Sequence, residues 1–168
     1  MERKGLTAFK GDPLTLVGPE LKVGDPAPDF TALSGLNPVS LKDSAGHVRL
    51  ISAVPSLDTP VCEQQTRRFN EEAAKLPGVK VLTLSCDLPF AQNRFCSTAG
   101  IQNLQTLSDY RDHQFGLNYG VLIKELKLLA RSIFVVGKDD KIKYVEIVPE
   151  VTQHPDYDRA LAAAKAAA

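Results

Sequence analysis

The chain has no tryptophan, one methionine and three cysteines in 168 residues. So few cysteines, and an odd number of them, exclude a scaffold built from disulfides. No C-x-x-C pair occurs, which removes a dithiol redox motif and a zinc knuckle. Net charge is zero, with 20 basic and 20 acidic residues, so nothing favours nucleic acid or an acidic membrane surface as partner. Apolar runs are far too short to cross a bilayer. Met1-Glu2-Arg3-Lys4 is charged, but Lys10, Gly11 and Asp12 interrupt before an apolar leader could form. A cytoplasmic location is the expectation. His47, His113 and His154 are widely spaced and form no metal-binding pattern, so each is read as a surface or loop residue.

What is present suits one soluble globular domain over residues 1–168. Hydrophobic residues make up 43% and charged residues 24%, enough for a real core. The most informative stretch is Val54-Pro55-Ser56-Leu57-Asp58-Thr59-Pro60-Val61-Cys62. It follows the apolar run Val48–Val54, a buried strand, and opens a helical pattern that runs to Leu76. Thr59 is a good N-cap, and Pro60 fits the first helical position, where no N–H is needed. Cys62 is then the third helical residue, among unpaired N–H groups at the positive end of the helix dipole. Such a place favours the reactive thiolate over the thiol. The competing reading is an inert, packed cysteine.

In chain order, Leu6–Lys10 and Leu14–Val17 flank Gly11-Asp12, which suits a type II′ hairpin within an N-terminal extension, residues 1–20. Pro13 confines its strand to an edge. Leu21–Asp29 is an extended connector. Phe30–Leu33 and Val39–Leu41 are short strands. After the helix from Thr59, Pro77-Gly78 leads into a second core strand, Val79–Ser85. Phe90–Thr98 is a helix ended by Gly100. Gln105–Ser108 is a short strand, and Arg111–Tyr119 a helix. Val121–Ala130 fits a loop, a frayed helix or a partner surface, and is a candidate dimer contact. Arg131–Gly137 and Lys141–Val148 form an antiparallel hairpin, and Pro155–Ala168 is a final alanine-rich helix. Alternating strands and helices with a terminal hairpin imply an α/β fold with a mixed central sheet and helices on both faces.

Sites in open α/β sheets lie at the carboxyl ends of strands. The loop from Pro55 to Cys62 leaves one core strand, and Cys86-Asp87 leaves its neighbour. Arg131 opens a later strand. If that strand runs antiparallel to Val48–Val54, Arg131 reaches Cys62, where its fixed charge would stabilise a thiolate and hold a polar substrate. The alternative is a solvated arginine at a strand end. Cys96, beside Phe95 on a different helix, is a resolving thiol or a helix core residue. A bridge from it to Cys62 would require local unwinding. Cys86 reads as a packed small residue. A cysteine hydrolase would need a histidine base, and His113 beside Asp112 is a poor candidate because sequence neighbours rarely form such a relay.

These residues carry a resemblance. Pro55-x-x-x-Thr59-x-x-Cys62 matches the peroxiredoxin active-site motif. Val54–Thr59 with Cys62, together with Ser85-x-Asp87-Leu88-Pro89-Phe90-Ala91-Gln92-x-Arg94-Phe95-Cys96, resembles the bacterial thiol peroxidase branch, an atypical two-cysteine type. Ala130-Arg131-Ser132 resembles the family's arginine site, and the N-terminal hairpin and Pro155-Asp156-Tyr157 resemble that branch too. Cys86 stands where the branch often has a small residue without a thiol. The resemblance covers essentially the whole chain and implies a thioredoxin-like fold. It implies that Cys62 is the peroxidatic cysteine, with Thr59 bonding the sulfur or peroxide, Arg131 stabilising thiolate and developing oxygen charge, and Pro55 shielding the sulfur. It implies a Cys62–Cys96 disulfide reduced by thioredoxin, no cofactor or metal, a homodimer, and hydrogen peroxide and organic hydroperoxides as substrates. A non-enzymatic peroxide sensor using the same disulfide is the alternative.

Overall fold

The computed structural model describes all 168 residues. Its central sheet has seven strands, built around the apolar runs read from the sequence. β5 (Val48–Ala53) is buried along its whole length and pairs parallel with β6 (Val79–Ser85), which pairs parallel with β7 (Gln105–Ser108). On the other side, β9 (Ser132–Val136) runs antiparallel to β5, and β10 (Ile142–Ile147) antiparallel to β9. The hairpin of β3 (Thr31–Ser34) and β4 (Asn37–Ser40) closes the far edge against β7. The sheet is mixed and of thioredoxin-like type.

Three helices pack on one face: α1 (Pro60–Ala73), α2 (Pro89–Ala99) and α4 (Tyr157–Ala167). Phe69 of α1 and Ala160, Leu161 and Ala164 of α4 cover Val48, Leu50, Val81, Ile133 and Val135. Gly100, with φ +68, ends α2 in the left-handed region, where the absence of a Cβ removes the steric penalty. Asp156 caps α4, accepting from the Arg159 N–H at 3.1 Å.

The opposite face carries less helix than the pattern suggested. Only α3 (Gln114–Asn118) lies there, shorter than the expected span, beside a three-stranded sheet. That sheet is β1 (Glu2–Phe9), β2 (Asp12–Val17) and β8 (Leu122–Ile123). The hairpin turn is Lys10-Gly11, not Gly11-Asp12. Both turn residues have positive φ, +49 and +87, which makes it type I′ rather than II′. Residues 121–130 are not a frayed helix but mostly loop, as one of the expected alternatives had it. Val121, Leu122, Ile123, Leu129 and Ala130 are buried, and β8 pairs with β2, leaving only the tip around Leu126 exposed. A 3-10 turn at Leu41–Ser44, with Ser40 and Asp43 in a capping box, was not foreseen.

Two glycines permit this layer to approach. A Cβ on Gly120 (φ +70) would stand 2.0 Å from the Pro19 carbonyl oxygen, and one on Gly18 (φ +118) 2.2 Å from that of Leu117. No helix is long and apolar enough to cross a membrane.

Candidate functional site

β5 ends at Ala53, and the chain turns through Pro55–Thr59 into α1. Asp87, just past β6, holds that turn. Its carboxylate accepts the Ser56 hydroxyl at 2.7 Å and the Leu57 N–H at 2.8 Å. Thr59 is the N-cap residue, with φ −130 and ψ 150, and Pro60 follows at the first helical position. Cys62 is the third residue of α1, as the sequence indicated, and is fully buried.

The antiparallel register of β9 on β5 sets Ser132 opposite Ala53, so Arg131 arrives at the end of the sheet where α1 begins. Arg131 Nη2 donates to Cys62 Sγ at 3.1 Å. The guanidinium is 2% exposed and every other partner is neutral. Nη1 donates to Gln65 Oε1 at 2.8 Å, while Nε and Nη2 donate to the Val151 carbonyl at 2.9 and 2.7 Å. Gln65 in turn donates to Ser52 Oγ at 2.6 Å. A buried positive charge without a carboxylate is costly unless an anion compensates it. The sulfur is the one group in contact that can become that anion. Helix terminus and guanidinium therefore both stabilise negative charge at the same atom.

Val54, Leu57 and Phe95 pack on Cys62 and close it from solvent. Pro55, half-buried, follows Val54 in this wall. Leu57 and Phe95 also line an open groove of about 700 Å³, together with Leu88, Phe90, Arg67, Arg94 and the acidic Asp58, Glu63 and Asp87. Thr59 does not contact the sulfur here, because its hydroxyl donates to the Ser56 carbonyl at 2.9 Å.

Cys96 stands apart from Cys62. It occupies the last turn of α2, and its Sγ lies 3.6 Å from the Thr106 hydroxyl on β7. Cys62 instead meets Arg131 at the start of β9, and β5 and β6 stand between β9 and β7. All three cysteines are free thiols. Cys86 is half-buried, and desolvation, reinforced by the Asp109 and Asp87 carboxylates, pushes its thiol up to about 12. At neutral pH it is therefore not a nucleophile. His113 is also half-buried and lies 3.6 Å from Cys86 Sγ. It lies in the loop before α3, as the sequence suggested, and stands beside Cys86 rather than Cys62.

Sequence reasoning placed Asp87 at this end of the sheet without its role in the turn, and missed Gln65, Ser52 and the Val151 carbonyl. Of the residues missed, Gln65 carried a signal, since it stands three residues after Cys62 and so on the same helix face.

Known proteins match this chain along most of its length. The Redoxin family model matches residues 22–161. A thiol peroxidase of Halalkalibacterium halodurans is 62% identical over 95% of this chain and 96% of its own. One from Bacillus subtilis is 58% identical over 94% of this chain and 95% of its own. Among solved structures, a peroxiredoxin-like protein from Aquifex aeolicus superposes with a TM-score of 0.92 at 44% identity, covering 99% of this chain and 98% of that one.

Proposed function

This chain belongs to the redoxin family and is a peroxidase, and from that premise we propose that Cys62 is the peroxidatic cysteine of a two-cysteine cycle. The observation that carries the reading is the 3.1 Å contact between Cys62 and the buried Arg131 guanidinium, whose other partners are the neutral Gln65 side chain and Val151 carbonyl.

The thiolate of Cys62 attacks the terminal oxygen of a hydroperoxide. The S–O bond forms as the O–O bond breaks, and the departing alkoxide or hydroxide takes a proton to leave as alcohol or water. Sulfur is oxidised and peroxide reduced by two electrons, so no metal or organic cofactor is needed. Arg131 stabilises the thiolate and then the charge growing on oxygen. Thr59, turned from Ser56, supplies a hydroxyl to the peroxide, and Pro55 keeps water off the sulfur. The apolar wall of the groove, with Leu88 and Phe90, favours organic hydroperoxides beside hydrogen peroxide.

Cys96 then attacks the Cys62 sulfenic acid, expelling water and forming a disulfide. The cysteines of a bridge need Cα atoms within about 7 Å, so the end of α2 must unwind first. Its last turn suits this, since the Cys96 carbonyl is held only by the Gly100 and Ile101 N–H groups past the helix end. Thioredoxin reduces the bridge by exchange. We further assign residues 1–168 to one domain, acting in the cytoplasm as a homodimer.

The test is the disulfide map after one equivalent of cumene hydroperoxide. A Cys62–Cys96 link is expected, and a Cys62–Cys86 link would overturn the resolving role. Cys62→Ser should abolish turnover, and Cys96→Ser should consume one equivalent and stop. Repeated turnover with thioredoxin and its reductase separates this enzyme from a sensor that is oxidised only once.

A further inference from the structure

The carboxyl ends of β6 and β7 carry a second cluster that peroxide reduction does not use. Cys86 leaves β6, Asp109 leaves β7, and His113 leads into α3. Cys86 Sγ, an Asp109 carboxylate oxygen and a His113 ring nitrogen all lie within 4.8 Å of one another. Cys86 Sγ and His113 Nδ1 are 3.6 Å apart. A tetrahedral zinc ion, with Zn–S about 2.3 Å and Zn–N about 2.0 Å, holds its sulfur and nitrogen about 3.5 Å apart.

The three residues sit on a fixed frame. The Asp109 N–H donates to the Ser85 carbonyl at 2.9 Å, and the His113 N–H to the Asp109 carbonyl at 3.1 Å. The Asp109 side chain is oriented by the Phe115 N–H on one oxygen, at 3.0 Å, and the Gly116 N–H on the other, at 2.9 Å. Each oxygen keeps a free lone pair, and ligating carboxylates are commonly braced in this way. Asp109 is 2% exposed, yet no lysine or arginine pairs with it. A carboxylate so buried calls for a cation. Holding the start of α3 explains the aspartate but requires neither the thiol nor the imidazole.

We propose that Cys86, Asp109 and His113 bind one divalent cation of the zinc class, with the fourth position taken by water. Sulfur, nitrogen and one oxygen form a donor set that selects zinc over magnesium or calcium. On binding, the Cys86 S–H proton leaves to solvent and an S–metal bond replaces it, with no change of oxidation state. Cys86 packs on the core at the sheet face opposite Cys62, so the two centres are separate. A bound ion would also keep the third thiol out of disulfide exchange.

The test is a titration of the reduced, metal-free chain with Co²⁺, read by absorption. A single equivalent should produce a thiolate-to-cobalt charge-transfer band with tetrahedral d–d absorption, and one equivalent of Zn²⁺ should displace it. The band should persist in the Cys62→Ser, Cys96→Ser double variant and vanish in Cys86→Ala. His113→Ala, whose ring is half-exposed, should keep its circular dichroism and bind at least about tenfold more weakly. No saturable band, or a band that survives Cys86→Ala or disappears with Cys62, overturns the proposal.

Discussion

Arg131 and Cys62 meet with Nη2 3.1 Å from Sγ, and the guanidinium has no carboxylate partner. Replacing Arg131 by methionine keeps much of the packing and removes the charge. We expect kcat/KM for hydroperoxide to fall by about 10²–10³, the loss typical of one preorganised donor to developing charge. Alkylation of Cys62 by iodoacetamide should slow in parallel. Unchanged rates in both assays would remove Arg131 from the chemistry.

Gln65 bridges Ser52 and Arg131 with bonds of 2.6 and 2.8 Å. Gln65→Leu leaves two buried polar groups short of a partner, at a cost of about 1–3 kcal/mol in denaturant unfolding. Because the guanidinium also loses its aim, activity should drop beyond what the unfolded fraction explains. Full kcat in a variant that is merely less stable would assign Gln65 to the fold alone.

The placement of Cys62 was legible because Thr59-Pro60 fixes the helix start, and three residues of register follow without tertiary information. Arg131 was legible only conditionally, since its meeting with Cys62 depends on β9 running antiparallel to β5. The polar supports were not legible. The Val151 carbonyl is a backbone atom with no sequence signature, and Ser52 is a small residue in an apolar strand. Cys86, Asp109 and His113 were missed as a group because the neighbouring parallel strands, not chain proximity, bring them together. The segment 121–130 stayed ambiguous because β8 is two residues long and its apolar pattern has no clear period. The hairpin turn was misplaced by one residue because Gly11 fits either central position, and only the φ of Lys10 decides.

Acid should loosen the contact between the N-terminal hairpin and the loop after β10. Glu150 accepts the Thr152 N–H and the Gly11 N–H, which hold its carboxyl at about 2, below the ordinary 4.5. The native state thus prefers the ionised form. The resulting stability is present above pH 4.5 and is lost as pH falls toward 2. The difference in unfolding midpoint between wild type and Glu150→Gln should follow that window. A difference that is constant with pH would exclude the carboxylate as the clamp.

Gly120→Ala would force a Cβ to 2.0 Å from the Pro19 oxygen at φ +70. Strain and overpacking together should cost about 2–4 kcal/mol. The thermal midpoint should fall accordingly, whereas Gly46→Ala, with open space around it at φ +83, should cost less. Equal losses would mean that backbone conformation alone, and not the crossing with Pro19, sets the penalty.

Phe95 packs against the small cluster of Val54, Leu57 and Cys62, and the next residue is Cys96. The stopper over one sulfur and the carrier of the other are thus consecutive links of the same helical turn. If Cys96 resolves as proposed, fraying that frees its thiol would also lift that cover, and uncovering and quenching would follow a single clock. An aromatic-to-alanine change at 95 would leave the first sulfur open without hastening the second, and the interval between them would become a window for a second peroxide.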